Sequence, residues 1–151
     1  MAHSSHKFGG LYRLSNVDNL RWAYSQLNKR AAVGVDKVSY VKYGENLEDN
    51  LQDLISRLKN KSYKAKLIRR TYIPKSATKM RPLGIPALED KLLQYAAAKI
   101  LEAICEAYFI DNSYGYRPQR GCHNAVKTVR KKMMFGKCHH IVEADIKGFF
   151  D

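Results

Sequence analysis

Ile141-Val142-Glu143-Ala144-Asp145-Ile146-Lys147-Gly148-Phe149-Phe150-Asp151 is the stretch on which the reading of the fold turns. Ile141, Val142, Ala144 and Ile146 make an apolar strand pattern. That strand delivers one carboxylate, Asp145, to a point just ahead of two aromatic rings. On residue type alone, an aspartate at a strand end is a cap or a turn residue. The segments that precede it decide whether it has another use.

The chain has 151 residues and 45% hydrophobic content, enough for one domain with a core. Lys and Arg number 27 against 14 Asp and Glu, a formal charge of +13. Such an excess destabilises a compact fold by self-repulsion, so a polyanionic partner explains it better than solubility does. Cys105, Cys122 and Cys138 show no Cys-x-x-Cys spacing, and Cys138-His139-His140 lacks a second ligand pair, which argues against zinc. Reduced, mostly buried thiols in a cytoplasmic protein, bacterial or organellar, fit this usage. There is no membrane-length apolar run and no signal-peptide core, so no membrane partner is expected. Residues 1–14 read as a leader outside the fold.

Working back from the C-terminal stretch, residues 122–135 have a helical pattern with Ala125, Val126, Val129 and Met133 inward. A loop bearing Gly and Pro, Asn112 to Gly121, precedes it. Glu89 to Tyr108 is the longest helical candidate. Its wide apolar face predicts a helix that is largely core. Period-two alternation through Tyr63, Ala65, Leu67, Thr71 and Ile73, a polar turn over 74–78, and a return strand Met80–Pro86 predict a basic β-hairpin, with prolines that suit an edge. A helix over about 46–60 carries Leu47, Leu51, Leu54, Ile55 and Leu58 on one stripe. Another, over about 17–31, starts at Ser15-Asn16-Val17-Asp18 and is followed by a turn at Gly34.

Four of these segments, taken in order, resemble the group II intron-encoded reverse transcriptases (intron maturases). Ala32-Val33-Gly34-Val35-Asp36-Lys37-Val38-Ser39 is similar to a loop of that family's N-terminal extension. Ile73-Pro74-Lys75 through Arg81-Pro82-Leu83-Gly84-Ile85-Pro86, followed by Glu89-Asp90-Lys91 and Gln94, resembles its fingers motif. Ser113-Tyr114-Gly115-Tyr116-Arg117-Pro118, with Arg120 and His123, resembles the next block. Ala144 to Asp151 resembles motif A of the palm. The resemblance spans residues 11–151 and implies an α/β (α+β) chain: the fingers of a right-hand polymerase, helix-rich with a basic β-hairpin, ending in the first palm strand. The implied parts are an N-terminal helical extension over 15–62, fingers over 63–140 and a palm strand over 141–151.

By the same resemblance, Lys75 and Arg81 contact the triphosphate of an incoming dNTP, a task suited to the bidentate Arg fork and the Lys point charge. Asp145 is the catalytic metal ligand, with the main-chain carbonyl of Ile146 in the same Mg2+ shell. Phe150 packs under the incoming sugar and selects deoxynucleotides. Lys79, Arg117, Arg120, Gly34 and Asp36 contact the RNA template or intron RNA. Tyr114 and Tyr116 either stack on bases or anchor their loop. The implied activity is RNA-directed DNA polymerisation that copies intron RNA from a DNA primer and assists intron splicing and mobility. Residues 1–151 alone are expected to bind RNA without polymerising, and to self-associate through uncovered apolar surface. Two other readings stay open: a non-catalytic basic RNA-binding maturase module, and a retron-type reverse transcriptase.

Overall fold

Asn16 starts the first helix: its Oδ1 accepts the Asn19 N–H at 2.9 Å, satisfying one of the donors every helix start leaves over. The computed structural model describes residues 9–14, 16–136, 138 and 140–146. After a 3-10 turn over Leu11–Leu14, α1 runs Val17–Gln26, α2 Tyr40–Gly44 and α3 Leu47–Lys59. Strands β1 (Arg69–Pro74) and β2 (Met80–Ile85) follow, then α4 (Leu88–Glu106) and α5 (Cys122–Phe135). The described residues fall into two compact units that divide between Ala103 and Ile104.

The core of the first unit is the meeting of three stripes: Leu20, Ala23 and Tyr24 of α1, Leu51, Leu54 and Ile55 of α3, and Leu88, Leu92 and Ala96 of α4, with Tyr43 of α2. Leu20, Leu51, Leu54 and Leu92 are completely buried. Each contributes on the order of 1.5–3 kcal/mol of transfer free energy. Tyr24 stacks on Tyr40 at 4.2 Å between ring centroids and donates its hydroxyl to the Tyr40 carbonyl at 2.7 Å.

Chain direction changes where local hydrogen bonds outcompete the helix. α1 stops at Gln26, short of the expected residue 31, because Asn28 Oδ1 accepts the Arg30 N–H and closes a turn. α3 ends in a Schellman arrangement: Lys61 N–H donates to the Leu58 carbonyl and Ser62 N–H to that of Arg57. Lys61 takes the left-handed position at φ 54°.

The hairpin is antiparallel, with Arg69 opposite Ile85, Tyr72 opposite Pro82 and Pro74 opposite Met80. β1 begins at Arg69, later than the alternation from Tyr63 predicts. Tyr63 and the Lys66 N–H are bonded to Asp90 of α4 rather than to a strand partner.

Four further expectations are corrected. α4 is buried only near its start, at Leu88, Asp90, Leu92 and Ala96, and Leu101 is 54% exposed. α5 has no buried residue among those described, although its apolar stripe is present. All three cysteines are exposed. An amphipathic pattern states which face wants cover, and in α5 no described residue buries that face. Residues 141–146 form no strand. A strand exists only through ladder bonds to a neighbour, and the described residues supply none.

Candidate functional site

Between Asp53 and Glu89 the chain carries ten lysines and arginines and no carboxylate. The hairpin raises part of this charge into solvent. Lys75 N–H donates to the Lys79 carbonyl at 2.7 Å and Ser76 N–H to the same oxygen at 3.2 Å, closing the tip. Lys75, Lys79 and Arg81 are exposed. None of their side chains has an ion-pair or hydrogen-bond partner among the described residues. Because side chains alternate along a strand, the paired positions place Arg69, Thr71 and Ile73 with Ile85, Leu83 and Arg81 on one face. Arg70, Tyr72 and Pro74 share the other face with Gly84, Pro82 and Met80.

An isolated two-stranded hairpin is marginal in water. The segment leading into this one is held by Asp90 in the first turn of α4, while its neighbour Glu89 ties α4 to α3 and α2. Glu89 accepts from both terminal nitrogens of Arg57, at 3.1 and 2.7 Å, and from the Tyr43 hydroxyl at 3.3 Å. Asp90, 5% exposed, accepts from the Tyr63 hydroxyl and from the Lys66 N–H. Burial, with Glu89 beside it, pushes the Tyr43 phenol well above its ordinary range. Burial and the bond to Asp90 do the same to Tyr63. Both phenols therefore stay protonated donors.

The 32–38 loop is seated against this lead-in segment. Asp36 accepts from Lys66 Nζ at 3.0 Å and from the Val38 N–H at 3.1 Å. Burial alone would raise the Asp36 carboxyl, but these donors outweigh it and hold the group below its ordinary value. Lys91 Nζ donates to the Ala32 carbonyl at 2.6 Å. Gly34 is pressed onto the chain between β2 and α4: a Cβ there would lie 2.5 Å from Ala87 Cα and 2.8 Å from the Pro86 carbonyl oxygen. Backbone cannot yield as a side-chain tip does, so Gly34→Ala is expected to cost about 1–3 kcal/mol. Gly115→Ala, with nothing within 4 Å of the added carbon, serves as the control. Urea denaturation checks both, and equal midpoints for the two variants would show that the loop is not tightly seated.

In the second unit, Arg117 is turned inward. Its side chain is 3% exposed. The guanidinium donates to both Glu106 oxygens, to the Ile110 carbonyl at 2.8 Å and to the Ser113 carbonyl at 3.0 Å, and it lies 5.0 Å over the Phe109 ring. These bonds hold the Glu106 carboxyl below its ordinary range. Tyr114 donates to Thr128 Oγ1 at 2.7 Å, which anchors the loop to α5. Tyr116 is fully exposed, in the left-handed region at φ 54°. Arg120 donates to the Asp111 carbonyl and is half-buried.

Asp145 and Ile146 are exposed. Carboxylate and carbonyl oxygens are the hard donors magnesium prefers. The described residues contain no group of three or more His, Cys, Asp or Glu placed to hold a metal. Phe149, Phe150 and Asp151 lie outside the described residues.

Sequence reasoning missed the importance of Asp90, which holds the lead-in to the hairpin, and of Glu89, which ties α4 to α3 and α2. The available signal was the pair of carboxylates that ends the long stretch of uncompensated cations.

Residues 73–151 match the reverse transcriptase (RNA-dependent DNA polymerase) family. The group II intron-encoded protein LtrA of Lactococcus lactis subsp. cremoris is 49% identical over 105 residues, 69% of this chain and 17% of that protein. Protein YkfC of Escherichia coli K12 is 40% identical over 123 residues, 78% of this chain and 32% of that protein. The putative COX1/OXI3 intron 1 protein of Saccharomyces cerevisiae is 29% identical over 142 residues, 91% of this chain and 16% of that protein. The chain thus spans between a sixth and a third of the length of these relatives. It belongs to the reverse transcriptase family, on the branch of the group II intron-encoded proteins.

Proposed function

We propose that residues 1–151 are the fingers and the beginning of the palm of an RNA-directed DNA polymerase that copies intron RNA and assists its splicing and mobility. The observation that carries this reading is the basic hairpin: cations at its tip that have no partner among the described residues, and a lead-in held to α4 by Asp90. A closing fingertip needs that combination, because free charge must meet phosphate while the arm bearing it stays in register. Lys75 and Arg81 contact the triphosphate of the dNTP, Arg81 through its planar fork. Lys79 and Arg120 contact the template backbone. Arg117 shapes the template-facing loop from inside. Gly34 and Asp36 bring the 32–38 loop against the hairpin base, where its backbone borders the same RNA.

Asp145 and the Ile146 carbonyl hold magnesium in the complete enzyme. Of the two magnesium ions such a site takes, one would lower the pKa of the primer 3′-hydroxyl and the other would stabilise the leaving pyrophosphate. Phe150, five residues beyond Asp145, excludes a ribose 2′-hydroxyl.

Binding of the 151-residue chain to structured RNA across a salt series tests the nucleic-acid part of this reading. Each phosphate neutralised adds roughly −0.7 to −0.9 to the slope of log affinity against log salt, so about five contacts give a slope near −4. A shallow slope, or no binding at low salt, would assign the basic surface to solubility alone.

A further inference from the structure

The two faces of the hairpin differ. The face bearing Arg81 turns inward at its root, where Ile85 is 9% exposed. On the other face, Arg70, Tyr72, Pro74, Met80, Pro82 and Gly84 are all exposed. Tyr72 is 56% exposed and Met80 58%. The Tyr72 ring stands opposite Pro82, with Arg70 two residues back on the same face. Ile68 lies over Gly84, where an added Cβ would meet its Cγ2 at 2.8 Å. The result is a low apolar platform with an aromatic at its middle and a guanidinium at its edge.

We infer that this face is a second nucleic-acid surface, on which Tyr72 stacks an unpaired base of single-stranded RNA while Arg70 takes the adjoining phosphate. The inference rests on the polymerase reading above and assigns the strand to the side of the hairpin away from Arg81. Charge complementarity selects the occupant. A second copy of this chain, at a formal +13, would bring the same cations against one another. Single-stranded RNA offers both features the platform needs: a flat π face for Tyr72 and Pro82, and an anion for Arg70. A duplex has its bases stacked already and offers only the anion.

The test uses the 151-residue chain with a short single-stranded RNA, the same strand made abasic, and a duplex. Tyr72→Ala is expected to weaken single-strand binding roughly tenfold, in line with one lost base–aromatic stack, with the salt slope unchanged. Tyr72→Trp retains affinity. Arg70→Ala reduces the salt slope by roughly 0.7, one phosphate contact on a single strand. On the abasic strand and on the duplex the Tyr72→Ala difference vanishes. Wild-type affinity in Tyr72→Ala, an equal loss on the abasic strand, or self-association abolished by Tyr72→Ala overturns the inference. A Tyr72→Ala chain that binds like wild type with a steep salt slope sinks the stacking surface alone and leaves the polymerase reading standing.

Discussion

Asp145→Asn in the full-length protein is expected to abolish primer extension and leave RNA affinity nearly unchanged. The substitution keeps the size and shape of the side chain and removes its negative charge. Asp145 is exposed and belongs to a stretch with no strand partner among the described residues, so its loss disturbs no described packing. A bound divalent cation contributes several kcal/mol of charge stabilisation in the transition state. At 1.36 kcal/mol per tenfold, losing about 4 kcal/mol slows the reaction roughly a thousandfold or more. On the proposed reading, RNA affinity rests instead on the cationic surface, which the substitution leaves intact. Single-turnover primer extension and RNA binding, measured on the same preparation, separate the two effects. Extension at more than a small fraction of the wild-type rate would remove Asp145 from the metal site, and a parallel loss of RNA binding would make it a structural residue.

How much of this was legible beforehand depended on how far apart the cooperating residues lie. Leu51, Leu54 and Ile55 announce α3 because helical periodicity is a local signal, and the structure buries them together. The hairpin was readable from its turn and its paired strands. The start of β1 was not, because Tyr63 and Lys66 are claimed by Asp90, more than twenty residues away. Gly34 looked like a turn glycine. Its demand comes from the backbone of Ala87, which periodicity cannot reveal. Arg117 illustrates the same limit for charge: an arginine in a Gly- and Pro-bearing loop reads as a phosphate contact, yet this one is used up by Glu106 and two carbonyls. α4 and α5 failed differently. Their apolar stripes are real, but a stripe records a need for cover, and Val126 and Leu101 are exposed among the described residues.

That distinction between a charge already used and a charge still free carries the second large effect. Arg81→Ala and Lys75→Ala are expected to raise the KM for dNTP, by roughly tenfold to a hundredfold for Arg81 and less for Lys75, while template affinity changes little. Hydrogen bonds to charged groups contribute about 1.5–3 kcal/mol each, and a bidentate Arg contact with phosphate lies at the upper end of that range. Neither side chain forms an ion pair among the described residues, and both are exposed, so truncation leaves no buried carboxylate behind and the fold should hold. Arg57, on α3, makes the contrast: Arg57→Ala strips Glu89 of its ion-pair partner, leaves it the Tyr43 hydroxyl alone, and should lower stability as well as activity. Arg81→Lys separates geometry from charge. It keeps the cation and loses the planar fork, so it should recover only part of the dNTP affinity. Steady-state extension at varied dNTP, beside template binding at fixed salt, reads each term separately. Should Arg81→Ala weaken template binding and leave the KM for dNTP where it was, the tip of the hairpin grips the nucleic-acid backbone, and the triphosphate is held elsewhere.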